Sequence, residues 1–176
     1  FKSVVLNGKI YAIGGCGKRN AYNTVEVYDP STDTWTPKAS MNYARYNHEA
    51  VVLNNKIYVV GGDLTPGSNT VTNTVEVYNP ATDTWTKKAS LNDARHYHSI
   101  VVANGSIFCL GGAQGSVIYN TVEQYYPDIN AWAKRASMAT KRYFLEAAVV
   151  DNFIYAIGGE GGPTTNTVEK YAFLSS

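Results

Sequence analysis

Arginine and histidine are the side chains best suited to chemistry here, and they recur in one setting. They stand as Arg45-Tyr46-Asn47-His48, Arg95-His96-Tyr97-His98 and Arg142-Tyr143-Phe144. A guanidinium can grip a carboxylate through two parallel hydrogen bonds. His96 and His98 are two apart on a strand-like segment, which puts them on one face within reach of a shared metal ion. No third ligand follows at a recognisable spacing, so a metal-free pair is expected. Each arginine also follows a glutamate by nineteen residues: Glu26 and Arg45, Glu76 and Arg95, Glu123 and Arg142. A repeated structural ion pair gives the same spacing, with Glu169 left waiting for an arginine. There is no Ser-His-Asp arrangement and no phosphate-cradling glycine loop. No catalytic residue and no cofactor is assigned.

The totals narrow the partners. Fifteen Lys and Arg stand against fourteen Asp and Glu in 176 residues. Near-neutrality removes the electrostatic case for nucleic acid or an anionic membrane surface. No apolar run approaches the ~20 residues of a helical membrane span. Cys16 and Cys109 lie in different repeats without a C-x-x-C spacing, so reduced thiols and a cytoplasmic setting are expected. The sequon Asn104-Gly105-Ser106 reads as a hairpin turn rather than a glycan acceptor.

Internal repetition supplies the elements that position these residues. Double glycines stand at Gly14-Gly15, Gly61-Gly62, Gly111-Gly112 and Gly158-Gly159, spaced by 47, 50 and 47 residues. The segment N-T-V-E begins at Asn23, Asn73, Asn120 and Asn166, followed by Tyr28, Tyr78, Tyr125 and Tyr171. Trp35, Trp85 and Trp132 keep the same register. In the second unit, strands are predicted at about 48–53, 56–60, 74–78 and 84–87, the first being the most buried and the fourth outermost. Asn7-Gly8, Asn54-Asn55, Asn104-Gly105 and Asp151-Asn152 are residue types that tolerate the positive φ of tight hairpin turns. No window has helical periodicity. Glycine lacks a Cβ, so the Trp and Tyr rings are expected to pack on the double glycines, between neighbouring units.

A double glycine, then a Tyr, a Trp and an Arg at these offsets resembles the Kelch repeat. The wording of units such as Met41 to Gly62 is most similar to the Kelch domains of Kelch-like ubiquitin-ligase adaptors. The resemblance implies an all-β propeller of four-stranded antiparallel blades, about 3.75 of them present. Blades are expected at 1–38, 39–88, 89–135 and 136–176. The ring is incomplete, so either the chain is a fragment or copies associate to close it, the fragment being preferred. The resemblance also implies a non-catalytic module binding a protein or peptide, acidic motifs included, in an adaptor or a cytoskeletal scaffold. An enzyme of oxidase, epimerase or specifier type with residues in absent blades is the alternative, and a lectin-like or structural propeller a third. The binding rim would be formed by the loops 16–22, 63–72, 113–119 and 160–166, which vary in length and charge on a repeating frame, with the arginine-bearing segments. Partner contact is accordingly assigned to Arg45, Tyr46, His48, Arg95, His96, Tyr97, Arg142 and Tyr143, with Arg19 and Asp63 from the variable loops.

Overall fold

The turn chemistry of the repeat sets the topology. In the computed structural model, which describes residues 1–161 and 166–173, Asn7-Gly8, Asn54-Asn55 and Asn104-Gly105 all adopt positive φ at both positions, and Asp151 at the first. Each turn folds one strand back on its predecessor. The first sheet comprises β1 (Lys2–Leu6), β2 (Lys9–Ile13), β3 (Val25–Asp29) and β4 (Thr34–Lys38). The second comprises β5 (Glu49–Leu53), β6 (Lys56–Val60), β7 (Val75–Asn79) and β8 (Thr84–Lys88). In the third, β9 (Ser99–Ala103) and β10 (Ser106–Leu110) precede a two-residue hairpin, β11 (Ala113–Gln114) with β12 (Val117–Ile118). Then β13 (Val122–Tyr126) and β14 (Ala131–Arg135) complete it. The fourth holds β15 (Glu146–Val150), β16 (Phe153–Ile157) and β17 (Val168–Ala172). Pairing is antiparallel throughout and follows chain order within every sheet.

The first strands β1, β5, β9 and β15 neighbour one another in sequence, so the sheets radiate from a common axis as an arc of a β-propeller. Apolar clusters fill each gap between sheets. Leu6, Ile13 and Met41 meet Ile57, Val59 and Tyr78 in one; Leu53, Val60 and Leu91 meet Ile107 and Tyr125 in the next; Leu110, Val122 and Met138 meet Ile154 and Ala156 in the last. Full burial of one such side chain stabilises by about 1.5–3 kcal/mol. Among the described residues, the outer faces of the first and fourth sheets have no such cover. Val5 and Ile10 are exposed on one, and Val149, Val150, Ile157 and Val168 on the other.

Two expectations are corrected. The first strand is not the most buried. Along β5 only Leu53 is fully enclosed, whereas four of the five residues of β6 are. The first strand lines the central axis and gives one side to water, while the second is flanked by strands and sheets on all sides. Nor do the aromatic rings sit on the double glycines. A Cβ on Gly61 would lie 2.6 Å from the Arg95 carbonyl oxygen and 2.8 Å from the His98 ring, and one on Gly62 2.6 Å from the Tyr46 carbonyl. The glycines admit backbone: Gly15, Gly62 and Gly112 donate N–H to the carbonyls of Arg45, Arg95 and Arg142 in the following unit. The rings work further out. Tyr78 donates its hydroxyl to Asp83, which accepts the Ala39 N–H, while Trp85 donates to the Ala39 carbonyl. Tyr125, Asn130 and Trp132 hold Ala89 in the same way. The second and third sheets thus each clasp the segment leaving the sheet before.

Candidate functional site

The N-T-V-E segment and the arginine form one buried device. Asn23, Asn73 and Asn120 each accept a backbone N–H from, and donate a side-chain amide to, Met41, Leu91 and Met138. The threonine and glutamate receive the arginine. Arg45 donates to the Gly61 and Thr74 carbonyls, the Thr74 hydroxyl and Glu76, at 2.8–3.1 Å. Arg95 reaches Gly111, Thr121 and Glu123, and Arg142 reaches Gly158, Thr167 and Glu169. Glu76 also accepts two hydrogen bonds from Asn42. The nineteen-residue pairing is therefore corrected: each arginine bonds the glutamate that follows it, not the one before. It enters at the start of its own sheet, where that sheet's third strand is the nearest carboxylate. Glu169 has its arginine, and Glu26 is the exposed one.

This geometry decides what the arginines offer. Arg45, Arg95 and Arg142 are fully enclosed, with their terminal guanidinium nitrogens committed to backbone carbonyls, threonine hydroxyls and carboxylates. The expected grip on an acidic motif has no free guanidinium to make it. His48 and His98 are buried as well and do not share a face with His96, because Tyr97 between them is in the left-handed region at φ 54°. Their rings lie against Gly14 and Gly61, and Leu145 takes the same seat against Gly111. No hydrogen bond of good geometry reaches any of these four ring nitrogens among the described residues. Burial pulls His48 down to about 3 and His98 well below the usual imidazole range, helped by the nearby arginines.

What reaches the rim is aromatic. Tyr46, His96 and Tyr143 bridge backbone to backbone with Asp63, Ala113 and Glu160 of the variable loops. Asp63 is buried, accepting from the Asn47 amide at 2.9 Å and facing His96 Nδ1 at 2.7 Å, so it organises the rim from below. From His96 the rings stack onward: Tyr97 lies 4.1 Å away, Phe144 4.0 Å beyond it, and Tyr143 5.0 Å from Phe144. The stack follows a backbone stair, with Phe144 N–H donating to the Tyr97 carbonyl and Tyr97 N–H to that of Asn47. Asn47, Tyr97 and Phe144 occupy equivalent places with φ of 52°, 54° and 53°. Asn tolerates that conformation; for bulky rings it is an outlier. Phe144, which the sequence did not single out, is 56 % exposed. Arg19 is exposed, in the 16–22 loop. Of the loop 160–166, residues 162–165 lie outside the described residues.

Below the stack a cavity of about 310 Å³ opens at the axis, lined by Tyr46, Tyr97, Phe144, Lys2, Glu49 and Glu146 among others. Lys2, Glu49 and Glu146 are the first residues of β1, β5 and β15. Lys2 pairs with Glu49 at 2.6 Å. Burial nevertheless pushes the Glu49 carboxyl up to about 7, with Glu146 adding to the shift and Lys2 opposing it. Among the described residues, no cluster of three or more His, Cys, Asp or Glu forms a metal site, and no helix is long and apolar enough to cross a membrane.

Comparison with known sequences accords with this frame. Residues 2–125 match the FKB95, Kelch-repeats domain. A mouse influenza virus NS1A-binding protein homolog is 44% identical over 57 residues, which is 32% of this chain and 9% of that protein. Human Kelch-like protein 33 is 37% identical over 62 residues, 35% of this chain and 12% of that protein. An F-box/kelch-repeat protein of Arabidopsis thaliana is 40% identical over 63 residues, 35% of this chain and 17% of that protein. The matched stretches thus span less than a fifth of these relatives. With the family match covering well over half of its residues, four repeats in register and radial antiparallel sheets, the chain belongs to the Kelch-repeat family.

Proposed function

We propose that the chain is a non-catalytic recognition module that holds a protein or peptide partner at the channel mouth through the rim residues Tyr46, His96, Tyr97, Tyr143 and Phe144. The observation that carries this reading is the aromatic stair, with Tyr97 and Phe144 in left-handed backbone where the equivalent Asn47 would sit at ease. Strained residues that the fold does not need are a mark of ligand clamps. Large rings anchored at one edge and open on the other also favour protein contact, since they bring area at little entropic cost. Several relatives carry F-box or BTB in their names beside Kelch, which favours a ubiquitin-ligase adaptor as the setting. The four blades at 1–38, 39–88, 89–135 and 136–176 would act as the rigid stand, with further blades or a second copy covering the exposed outer sheets.

The test is affinity capture with the wild-type chain and with Tyr97→Asn/Phe144→Asn, both verified as folded by thermal melting. The reading expects specific partners to drop out of the variant's eluate. Retention of the whole set would remove it. Co-purification of the full-length protein with a cullin tests the adaptor setting separately.

A further inference from the structure

We propose that the cavity at the channel mouth receives a basic side chain, a lysine or arginine of the partner, between the Glu49 and Glu146 carboxylates and against the rings of Tyr97 and Phe144. This rests on the rim reading above and names the chemistry of what is bound, reversing the acidic preference that free arginines would have implied.

Charge is the first argument. Of the charged side chains lining the cavity, two are acidic and one is basic, and Phe1, whose amino group bears on His48, lines it as well. Lys2 is already committed to Glu49, and Glu146 makes no ion pair or side-chain hydrogen bond among the described residues. The two carboxylates repel through the cavity, and burial leaves Glu49 reluctant to ionise even with Lys2 beside it. A second cation placed between them relieves both penalties, whereas an incoming carboxylate worsens both.

Shape and lining give the second argument. The cavity would hold about ten waters at their liquid volume, enough for one long side chain. Its lining includes Tyr46, Tyr97 and Phe144, and ring faces attract ammonium and guanidinium groups while giving nothing to a carboxylate. Lysines and arginines present an apolar stem below the charged head, which matches a lining that combines rings with acids. The strained Tyr97 and Phe144 are among the rings that line this cavity, with Tyr46. Exposed basic residues stand in the 16–22 loop, Lys18 and Arg19, but they do not line the cavity.

The experiment is calorimetric titration of the 176-residue chain with decalysine, decaarginine and decaglutamate at about 0.15 M ionic strength, where exposed charges beyond ~8 Å are screened. Decalysine or decaarginine should bind and decaglutamate should not. Glu49→Gln/Glu146→Gln should weaken the basic peptide by about tenfold or more. Glu146→Gln alone, at an exposed position, should give part of that loss and guards against a folding defect in the pair. Tighter binding of decaglutamate, no binding of either basic peptide, or affinity indifferent to both glutamate variants would overturn the inference. Tyr97→Asn/Phe144→Asn separates this from the rim reading. If library-selected peptides need the two rings but ignore the glutamates, the rim stands and the cation site falls. If they ignore the rings, the rim reading itself falls and takes the inference with it.

Discussion

Arg45 and Glu76 meet at 2.8 Å with both side chains closed to solvent, and the arginine that begins each inner hairpin is thereby spent on the fold. The pair recurs as Arg95 with Glu123, equally enclosed, and as Arg142 with Glu169, whose carboxylate is 20 % exposed. Removing one partner strands a buried charge, at a cost of about 3–5 kcal/mol. Arg45→Ala and Arg95→Ala should lower the free energy of unfolding by amounts in that range, and Arg142→Ala by clearly less, because water reaches the Glu169 carboxylate that it strands. Glu26→Gln should leave the midpoint unchanged. Urea melts of the four variants check the ranking.

The double glycines predict a second contrast. Gly61→Ala places a methyl group 2.6 Å from the Arg95 carbonyl in a left-handed residue, so neighbouring sheets must part or the N–H ladder between units must break. A loss of about 3 kcal/mol or more is expected, at the upper end for single substitutions. Gly8→Asn and Gly105→Asn, in open turns of positive φ with nothing near the added side chain, should cost less than about 0.5 kcal/mol. Thermal melting distinguishes the two sets.

How much of this was legible in the sequence follows from the period. Turn residues, strands and register were readable because each recurs four times with its own chemistry. The ion pair was not. Glu26 and Glu76 are one repeat apart, and Arg45 stands between them, 31 residues before Glu76. The arginine keeps a constant spacing to the glutamate before it but stands 31, 28 and 27 residues before the one it bonds, because the variable loop lies in that span, so regular spacing pointed to the wrong partner and only the packing of the inter-sheet segment reveals the right one. The seat of the rings was missed for a related reason. Gly-Gly looked like room for an aromatic, but its space is taken by the carbonyl of the next arginine. Phe144 was overlooked because phenylalanine carries no signal for left-handed backbone; Asn47 in the equivalent slot was the available clue.

His48 and His98 make stability depend on acid. Their folded-state pKa values lie below the unfolded value, about 3 for His48, so the stability tied to the neutral rings is present above pH ~6.5 and is lost as pH falls toward the folded values. Each histidine should contribute a slope of about 1.4 kcal/mol per pH unit in that window. Leu145 occupies the same seat in the fourth unit, so His48→Leu/His98→Leu should fold, match or exceed wild-type stability at pH 7, and flatten the slope. Denaturation midpoints between pH 4 and 7 measure it.

Glu49 carries the opposite dependence. Its folded pKa is raised to about 7, so its contribution is fully present below pH ~4.5 and is lost as pH rises through about 7. Glu49→Gln should therefore be the more stable protein at pH 8, by roughly 1–3 kcal/mol, with the difference gone near pH 4. A variant equally or less stable than wild type at pH 8 would mean that Lys2 compensates the carboxylate fully.

The central claim is that the aromatic stair at the channel mouth does the recognising. A random peptide library selected on the wild-type chain, with the enriched peptides then titrated against Tyr97→Asn/Phe144→Asn, tests it most directly. Both replacements suit left-handed backbone, so the fold should hold its melting temperature. The account predicts that affinity for the enriched peptides falls by about tenfold or more, as expected when a pair of aromatic anchors is removed. Unchanged affinity in a folded variant would place recognition elsewhere on the chain and contradict the account.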